Sequence, residues 1–376
     1  MKRYVFIKKS AFPAAKLVFL PKLLLCLSPA AAAAVITLIL KCSTSQKVES
    51  VYSSGLFRPI SSALGMIGRI APFSLASIIL YLLSAAGIII IIGFLAMLIF
   101  KSGRLELIKN FVLMLTAAVS IVFLLFTLLC APNYYRVPFA EQAGYTLDSY
   151  TEDDLYDLCE KLIAKTNSER EKFSGTPEKN VKQLAAKTKS AFDSLSVDYP
   201  FIGKAKTTPK PFVGSEILSI LNLTGFYFPY TGEANVNVHA PFVELPFTMC
   251  HELSHTRGFM LENEANFIGY LACKKSDDPV IRYSGYYVAL IHSMNMMAQT
   301  DAEKFIQLRK KYSPAVESDA ALLSEYWDKY FNTPAADFSN AVNDTYLKAN
   351  DLSDGIKSYG RMVDLLMAEH LKEKGE

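Results

Sequence analysis

Residues 246–273 read PFTMCHELSHTRGFMLENEANFIGYLAC, and the fold and chemistry of the chain are built around this stretch. His251, Glu252 and His255 form the pattern H-E-x-x-H. Residues four apart lie one above the other on a helix, so both imidazoles can reach one metal ion. Glu252 then lies beside a water on that ion. Two nitrogen ligands, an activated water and a carboxylate general base are the arrangement of a zinc hydrolase, so we predict Zn²⁺ as the cofactor.

A catalytic zinc ion needs a third protein ligand, and two glutamates follow the motif closely. Gly258 is predicted to end the first helix, and a second helix is predicted from about Leu261. At roughly 100° per residue, Glu262 shares a face with Asn266 and with small residues that let the two helices approach closely. Glu264 points the other way, towards bulky apolar residues. We therefore predict that Glu262, rather than Glu264, binds the metal.

Two polar residues are predicted to support the ligands without binding the metal. Asn266 lies one turn after Glu262 and is predicted to hold a ligand histidine through its second ring nitrogen. Glu264 is predicted to contact a group behind the ligands or at the surface. H-E-x-x-H also occurs by chance in solvated helices, but the acidic residues and apolar surround that follow it here favour a metal site.

The two motifs resemble those of the gluzincin peptidases, in which E-x-x-A-(D/N) on a second helix follows HExxH and supplies the third zinc ligand. More widely, the chain is similar to an uncharacterised family of bacterial membrane-anchored zincin-like proteins. The stretches that carry the resemblance are the apolar N-terminal segments, Phe226–Asn237, Cys250–His255, Glu262–Phe267 and Ser358–Leu366. The resemblance implies a zincin-like α+β metallopeptidase domain, a peptide or protein substrate and Glu262 as the third ligand. The chain departs from gluzincins in the short gap between its motifs and in carrying Asn266 where aspartate is usual.

The N-terminal third of the chain is too apolar for an ordinary soluble enzyme. Of the 376 residues, 51% are hydrophobic, and the excess lies in stretches at about residues 20–40, 73–100 and 110–131. Each stretch is long enough to cross a bilayer as a helix. We predict a membrane domain over residues 1–132 with three transmembrane helices, followed by a catalytic domain over residues 133–376. A cleaved signal peptide is the alternative for the first stretch, but its length and the lack of a clear cleavage site favour an uncleaved anchor.

Basic residues predict the orientation in the plasma membrane. The basic N-terminus and the turn Lys101–Lys109 favour the cytoplasmic side, which leaves the catalytic domain outside the cell after three crossings. Basic residues in the connector, residues 41–72, argue against this orientation. An apolar pattern over Ile60–Ile70 predicts a short amphipathic helix on the membrane surface. The net charge of +3 indicates no nucleic-acid partner, and the six cysteines form no CxxC pair, while the oligomeric state stays open.

The C-terminal domain is predicted to be mainly α-helical with a small sheet. Thr151 begins a capping box that opens one helix, and another helix is predicted over residues 176–195. Residues 234–239 alternate between apolar and polar side chains, which predicts a strand. Zincins carry the edge strand that binds extended substrate at this place, so Asn235 and Asn237 are predicted to contact substrate.

A peptidase also needs a donor for the oxyanion that forms in its transition state. Tyr359 and Arg361 are the first choice, because an arginine within an apolar helix needs a partner or a ligand. His292 lies among apolar residues and is predicted to be a packing residue rather than a ligand.

Two functions from different classes remain open. One is a membrane-anchored zinc metallopeptidase, in which Glu252 takes a proton from the attacking water and passes it to the leaving amine. The alternative is a catalytically silent sensor or binding module at the membrane surface that keeps zinc as part of its structure. Proteolysis within the membrane is disfavoured, because the HExxH helix lies far along the chain from the apolar stretches.

Overall fold

The computed structural model describes residues 14–100, 103–175, 177, 180–349 and 361–375. This part of the chain is mainly helical with one small sheet, as the sequence predicted. It divides into two compact units. The first unit comprises the residues up to Cys42 together with Tyr81–Leu128, and the second comprises Ser43–Leu80 together with the residues from Leu129 onward.

The α-helices are, in chain order, α1 (Ala14–Lys41), α2 (Ser45–Val48), α3 (Arg58–Gly68), α4 (Leu75–Phe100), α5 (Arg104–Leu129), α6 (Phe139–Ala143), α7 (Glu152–Arg170), α8 (Val181–Asp198), α9 (Glu216–Ile220), α10 (Leu245–Thr256), α11 (Glu262–Lys274), α12 (Pro279–Thr300), α13 (Ala302–Arg309), α14 (Pro314–Asp328), α15 (Pro334–Ala349) and α16 (Met362–Lys374). A π-helix over Glu49–Phe57 joins α2 to α3, and a 3₁₀ turn covers Ala131–Tyr135. The strands are β1 (Lys210–Pro211), β2 (Gly225–Phe228) and β3 (Glu233–Val236).

Three helices, α1, α4 and α5, are long and apolar enough to cross a membrane. Large apolar side chains are exposed along all three, as on helices that face lipid. The third begins at Arg104 rather than at residue 110, because the helical backbone continues past the end of the apolar run. The coarse expectation of a membrane protein with three apolar helices is therefore confirmed.

The connector between α1 and α4 folds with the second unit rather than with the apolar helices. The helix predicted over Ile60–Ile70 is present as α3. It buries its small residues against the second unit and exposes its large apolar ones. The buried residues are Ser61, Gly65 and Gly68, and the exposed residues are Ile60, Met66 and Ile67. The apolar side of α3 is thus free to meet a lipid surface.

The second unit is built around an apolar core between α7, α10, α11, α12 and α16. Thr151 forms the predicted capping box at the start of α7: its Oγ1 accepts from the Asp154 N–H at 3.2 Å, and Asp154 Oδ2 accepts from the Thr151 N–H at 2.9 Å. The next helix, α8, begins at Val181 rather than at residue 176, because Asn180 caps its first turn by accepting from Gln183.

The sheet has the strand order β1-β3-β2, with β1 parallel and β2 antiparallel to β3. The strand expected over residues 234–239 is β3, and it is shorter than predicted. It is the central strand, not an edge strand, and all four of its residues are buried. Both its edges are paired, and α10 and α3 also contact it, so its polar side chains do not face solvent.

Candidate metal centre

Two helices carry the metal-binding motif and meet at a glycine. α10 holds His251 and His255 one turn apart, and α11 begins at Glu262. Gly269 of α11 lies against the backbone of α10, where an added Cβ would be 3.1 Å from the backbone nitrogen of His251. A larger residue would push the helices apart, so this contact sets the close approach that brings α11 to the histidines.

Three side chains converge between these helices. The Nε2 atoms of His251 and His255 are 3.1 Å apart, and oxygens of Glu262 lie 3.2 Å and 3.7 Å from them. Two ligands of a tetrahedral zinc ion, each about 2.0–2.1 Å from it, are separated by about 3.3 Å. The number, kind and spacing of these donor atoms therefore fit zinc, and they agree with the prediction of Glu262 over Glu264.

The loop after α10 orients the ring of His255. The His255 Nδ1 lies 2.7 Å from the Phe259 carbonyl, so Nδ1–H donates to that oxygen and Nε2 presents its lone pair to Glu262. Phe259 is held in turn by Arg136, whose guanidinium lies 3.8 Å above its ring. Burial lowers the pKa of His255 to about 4, so the ring is neutral at pH 7. The lone pair of Nε2 then points towards the nitrogen of His251 and the carboxylate of Glu262, which is the place that a metal ion would take.

Asn266 lies beside His251, as the helical period predicted. Burial lowers the pKa of His251, but the hydrogen bond and charge of Glu262, the charge of Glu252 and the Asn266 side chain together raise it above its usual value. Among the described residues, none forms a hydrogen bond of good geometry with the Nδ1 atom of His251. Asn266 is therefore a polar neighbour of the ligand ring rather than a rigid partner of it.

Glu252 lies beside the three converging side chains with one oxygen unpaired. The residue is 3% exposed, and its Oε2 has no hydrogen-bond partner in the part of the chain that the structure describes. Burial raises the pKa of Glu252 to about 8, while the charge of His251 lowers it and that of Glu262 raises it. The other oxygen lies against Gly225 of β2, where an added Cβ would be 2.7 Å away. Glu252 thus has a free acceptor beside the candidate ligands.

Glu264 supports the loop that precedes α6 and does not contact the histidines. Its Oε1 accepts from the Phe139 N–H at 2.6 Å. Burial raises the pKa of Glu264 to about 7, although this hydrogen bond and the charge of Arg136 both lower it. The prediction that Glu264 supports the ligands or lies at the surface does not agree with this position, because the side chain is buried and its hydrogen bond is to the start of α6.

Two residues near the candidate ligands were not predicted to belong to the site. His292 of α12 is half-buried, and burial together with the charge of His251 lowers its pKa to about 4. Tyr227 of β2 places its ring 6.4 Å from that of His255. No pattern in the sequence marks either residue, because only the packing of α12 and β2 on α10 brings them here.

The prediction that Asn235 and Asn237 contact substrate does not agree with the structure. Both are fully buried. The amide of Asn235 donates to two backbone carbonyls and accepts from Ser74 at 2.6 Å. The amide of Asn237 donates to Ser219 at 2.9 Å and accepts from the His239 N–H at 3.0 Å. Since these polar atoms are already bonded within the protein, the two asparagines hold the sheet together.

Of the two residues predicted as oxyanion donors, the structure describes one. Tyr359 lies outside the described residues. Arg361 is exposed in the turn that begins α16, so it is not an arginine buried within an apolar helix, and the reason for choosing it does not hold. Burial raises the pKa of Asp364, and the positive charge of Arg361 lowers it.

Comparison with known proteins assigns most of the chain to one family. A family model described as "Protein of unknown function (DUF3810)" matches residues 52–367. The match includes α4 and α5, most of the connector and both helices of the candidate metal centre. No curated protein matches the chain, and no solved structure matches it.

Proposed function

This chain belongs to the DUF3810 family, and we propose that it is a membrane-anchored zinc metallopeptidase. The observation that carries the proposal is the convergence of two imidazoles and one carboxylate, with the unpaired carboxylate of Glu252 beside them. In this proposal His251, His255 and Glu262 hold the ion. When bound, zinc would polarise the scissile carbonyl and acidify a water.

Glu252 supplies the acid–base chemistry. Its Oε2 accepts a proton from the attacking water and returns that proton to the leaving amine. Burial favours the protonated carboxyl, whereas a divalent charge on the neighbouring ligands favours the carboxylate. Glu252 therefore acts as a base when the metal is present.

The position of β2 favours an extended peptide as the substrate. β2 is an outer strand, paired with β3 on one side, and its first residue, Gly225, touches the Glu252 carboxylate. An outer strand offers backbone N–H and C=O groups that can bind an extended chain as an additional strand. In this proposal β2, and not residues 234–239, binds the substrate.

In this proposal the donor to the substrate oxygen is His292 of α12, the helix that packs on α10. It is half-buried and close enough to His251 for the two rings to interact electrostatically. A neutral imidazole carries one N–H donor, which is what an oxyanion needs. A role for Tyr359 or Arg361 stays a prediction.

Metal analysis and peptide cleavage on the same detergent-purified chain test the proposal. The wild type is expected to hold stoichiometric zinc and to cleave members of a broad peptide library. Glu252→Gln is expected to keep the zinc and to lose cleavage by about 100-fold or more, since it cannot accept the proton. Zinc binding without cleavage by either protein would favour the silent sensor or binding module, and a wild type without metal would refute both functions.

A further inference from the structure

Arg257 is a buried cation for which the described residues provide no ion pair. It is 4% exposed and directly follows α10. Its Nε is buried without a hydrogen-bond partner, and no residue in the described ranges forms an ion pair with it. Asp193 acts on Arg257, but the oxygens of Asp193 already accept from Lys189 and from the Ala205 N–H. A guanidinium in such surroundings needs a group that neutralises it.

A second guanidinium lies next to the first. A Cβ added to Gly203 would be 3.3 Å from Nη2 of Arg257 and 3.9 Å from Cζ of Arg58, so both guanidinium groups approach the same glycine. Arg58 donates to the Phe201 carbonyl, and its Nε is also buried and unpaired. Gly203 has a φ of +72°, so glycine suits this position by its backbone as well as by its size.

Two acidic groups act on the pair, Glu49 on Arg58 and Asp193 on Arg257, but both are bound by other residues, and Arg136 adds a third positive charge. Arg136 donates to the Arg257 carbonyl at 3.1 Å. The carboxylate of Glu49 is occupied by Arg136, which binds it through two hydrogen bonds of 2.9 Å and 3.0 Å. The amide of Asn133, beside Arg136, has a buried nitrogen donor and a buried oxygen acceptor, and neither has a hydrogen-bond partner among the described residues. Unused N–H donors and uncompensated positive charge together are what an oxyanion requires of its site.

We propose that Arg58 and Arg257 bind a phosphate oxyanion, held between α3 of the connector and the loop that joins α10 to α11. Guanidinium groups bind phosphate through paired N–H donors and stay charged when buried, which an ammonium group does less well. The anion would replace the missing acidic partner of Arg257. This site does not depend on hydrolysis at the candidate metal centre.

Two features relate this site to a membrane surface. Arg58 begins α3, whose exposed side carries Ile60, Met66 and Ile67. Arg136 lies seven residues (136 − 129) after the end of α5, a reach of at most about 25 Å. A phospholipid head group and free inorganic phosphate both offer the required oxyanion, and they can be separated by experiment.

Thermal unfolding of the full chain in phospholipid-free detergent tests the proposal. Inorganic phosphate, titrated at constant ionic strength, is expected to raise the unfolding temperature by about 3–8 °C at saturation. Arg257→Met removes the buried charge at similar volume, so we expect it to be at least as stable as the wild type without phosphate and to gain nothing from phosphate. Arg58→Gln, which keeps a polar side chain, should also lose the response. Arg309→Met, at an exposed arginine paired with Glu317, is the matched control and should keep it.

The outcomes separate the two sources of phosphate. A response to inorganic phosphate that Arg257→Met and Arg58→Gln abolish supports a site for the free anion. Stabilisation by phosphatidylcholine nanodiscs alone, present in the wild type and the control but absent from both variants, supports a lipid head group. The proposal is overturned if the variants respond as the wild type does, or if the wild type responds to neither source.

Discussion

Glu262 and Glu264 are two residues apart on α11 and lie in opposite surroundings. Two residues correspond to roughly 200° of rotation about a helix, so the two carboxylates cannot face one ion. Glu262 lies within 3.2 Å of a histidine nitrogen, whereas Glu264 accepts a hydrogen bond from the Phe139 N–H. At the residue scale, the helical period alone accounts for this division of roles.

Exchanging each glutamate for alanine should therefore have different effects. Loss of a group that supports a ligand lowers metal affinity by up to roughly 100-fold, and loss of a ligand itself should lower it further. Glu262→Ala is therefore expected to purify with little zinc. Glu264→Ala should keep most of the zinc and lose about 1–3 kcal/mol of stability, because the Phe139 N–H loses its buried acceptor. Metal content by mass spectrometry and thermal unfolding measure the two effects. Loss of zinc from the Glu264 variant alone would contradict this assignment.

At the element scale, a residue from the sheet caps the N-terminus of α4. Glu233 of β3 is fully buried and accepts from the N–H groups of Leu75 and Ala76 at 3.1 Å and 2.8 Å. Lys210 of β1 pairs with the same carboxylate at 2.8 Å and also donates to three backbone carbonyls, one at the end of α3 and two between α3 and α4. A carboxylate at a helix N-terminus neutralises the free N–H groups there. The two strands thus determine where α4 begins.

Glu233→Gln is expected to lower the free energy of unfolding by about 3–5 kcal/mol, because it leaves the buried Lys210 ammonium without a counter-charge. Unfolding of the detergent-purified chain by heat or denaturant measures the loss. The double variant Lys210→Met with Glu233→Gln should be more stable than Glu233→Gln alone, since it removes the unpaired charge.

An exposed ion pair provides the control for this prediction. Glu325 and Lys329 lie 3.5 Å apart on α14 and its cap, with side chains 76% and 60% exposed. Glu325→Gln should change stability by less than about 1 kcal/mol, because exposed pairs contribute little. Equal effects of Glu233→Gln and Glu325→Gln would show that the buried pair does not stabilise the second unit.

At the scale of the whole molecule, the connector is part of the C-terminal fold. Arg136 binds Glu49, Arg58 donates to Phe201, and Lys210 binds Glu233 beside α4, so residues on both sides of α4 and α5 form one unit. Two segments that fold together lie on the same side of a membrane. This agrees with three crossings, and Arg58, one of the basic residues of the connector, then has a partner in the fold that is unrelated to orientation.

Labelling of cysteines in intact cells should show this arrangement. Cys42 is exposed at the end of α1, and Lys329→Cys adds an exposed thiol on the C-terminal part. Both should react with a thiol reagent that cannot cross membranes, because we place the second unit outside the cell. Glu106→Cys, beside the basic turn before α5, should react only after lysis. The reverse pattern would place the second unit in the cytoplasm, and labelling of only one of the first two thiols would contradict three crossings.

Features that depend on local period and composition could be predicted from the amino-acid sequence. The spacing of His251 and His255 and the choice of Glu262 over Glu264 follow from helical geometry, and the length of the apolar runs follows from the thickness of a bilayer. The alternation at residues 234–239 correctly indicated a strand, but period alone cannot tell a central strand from an edge strand. That distinction depends on which segments pair with it.

Only the tertiary structure decided the contacts between distant segments. Gly225 meets Glu252, and Glu233 meets the start of α4 more than a hundred residues earlier in the chain. Arg58 of the connector and Arg257 after α10 likewise approach one another at Gly203. Such contacts arise because apolar faces pack together and bring polar residues with them, and buried polar groups then need partners wherever the packing places them. No repeat or spacing in the sequence predicts which distant residue becomes the partner of a given buried polar group.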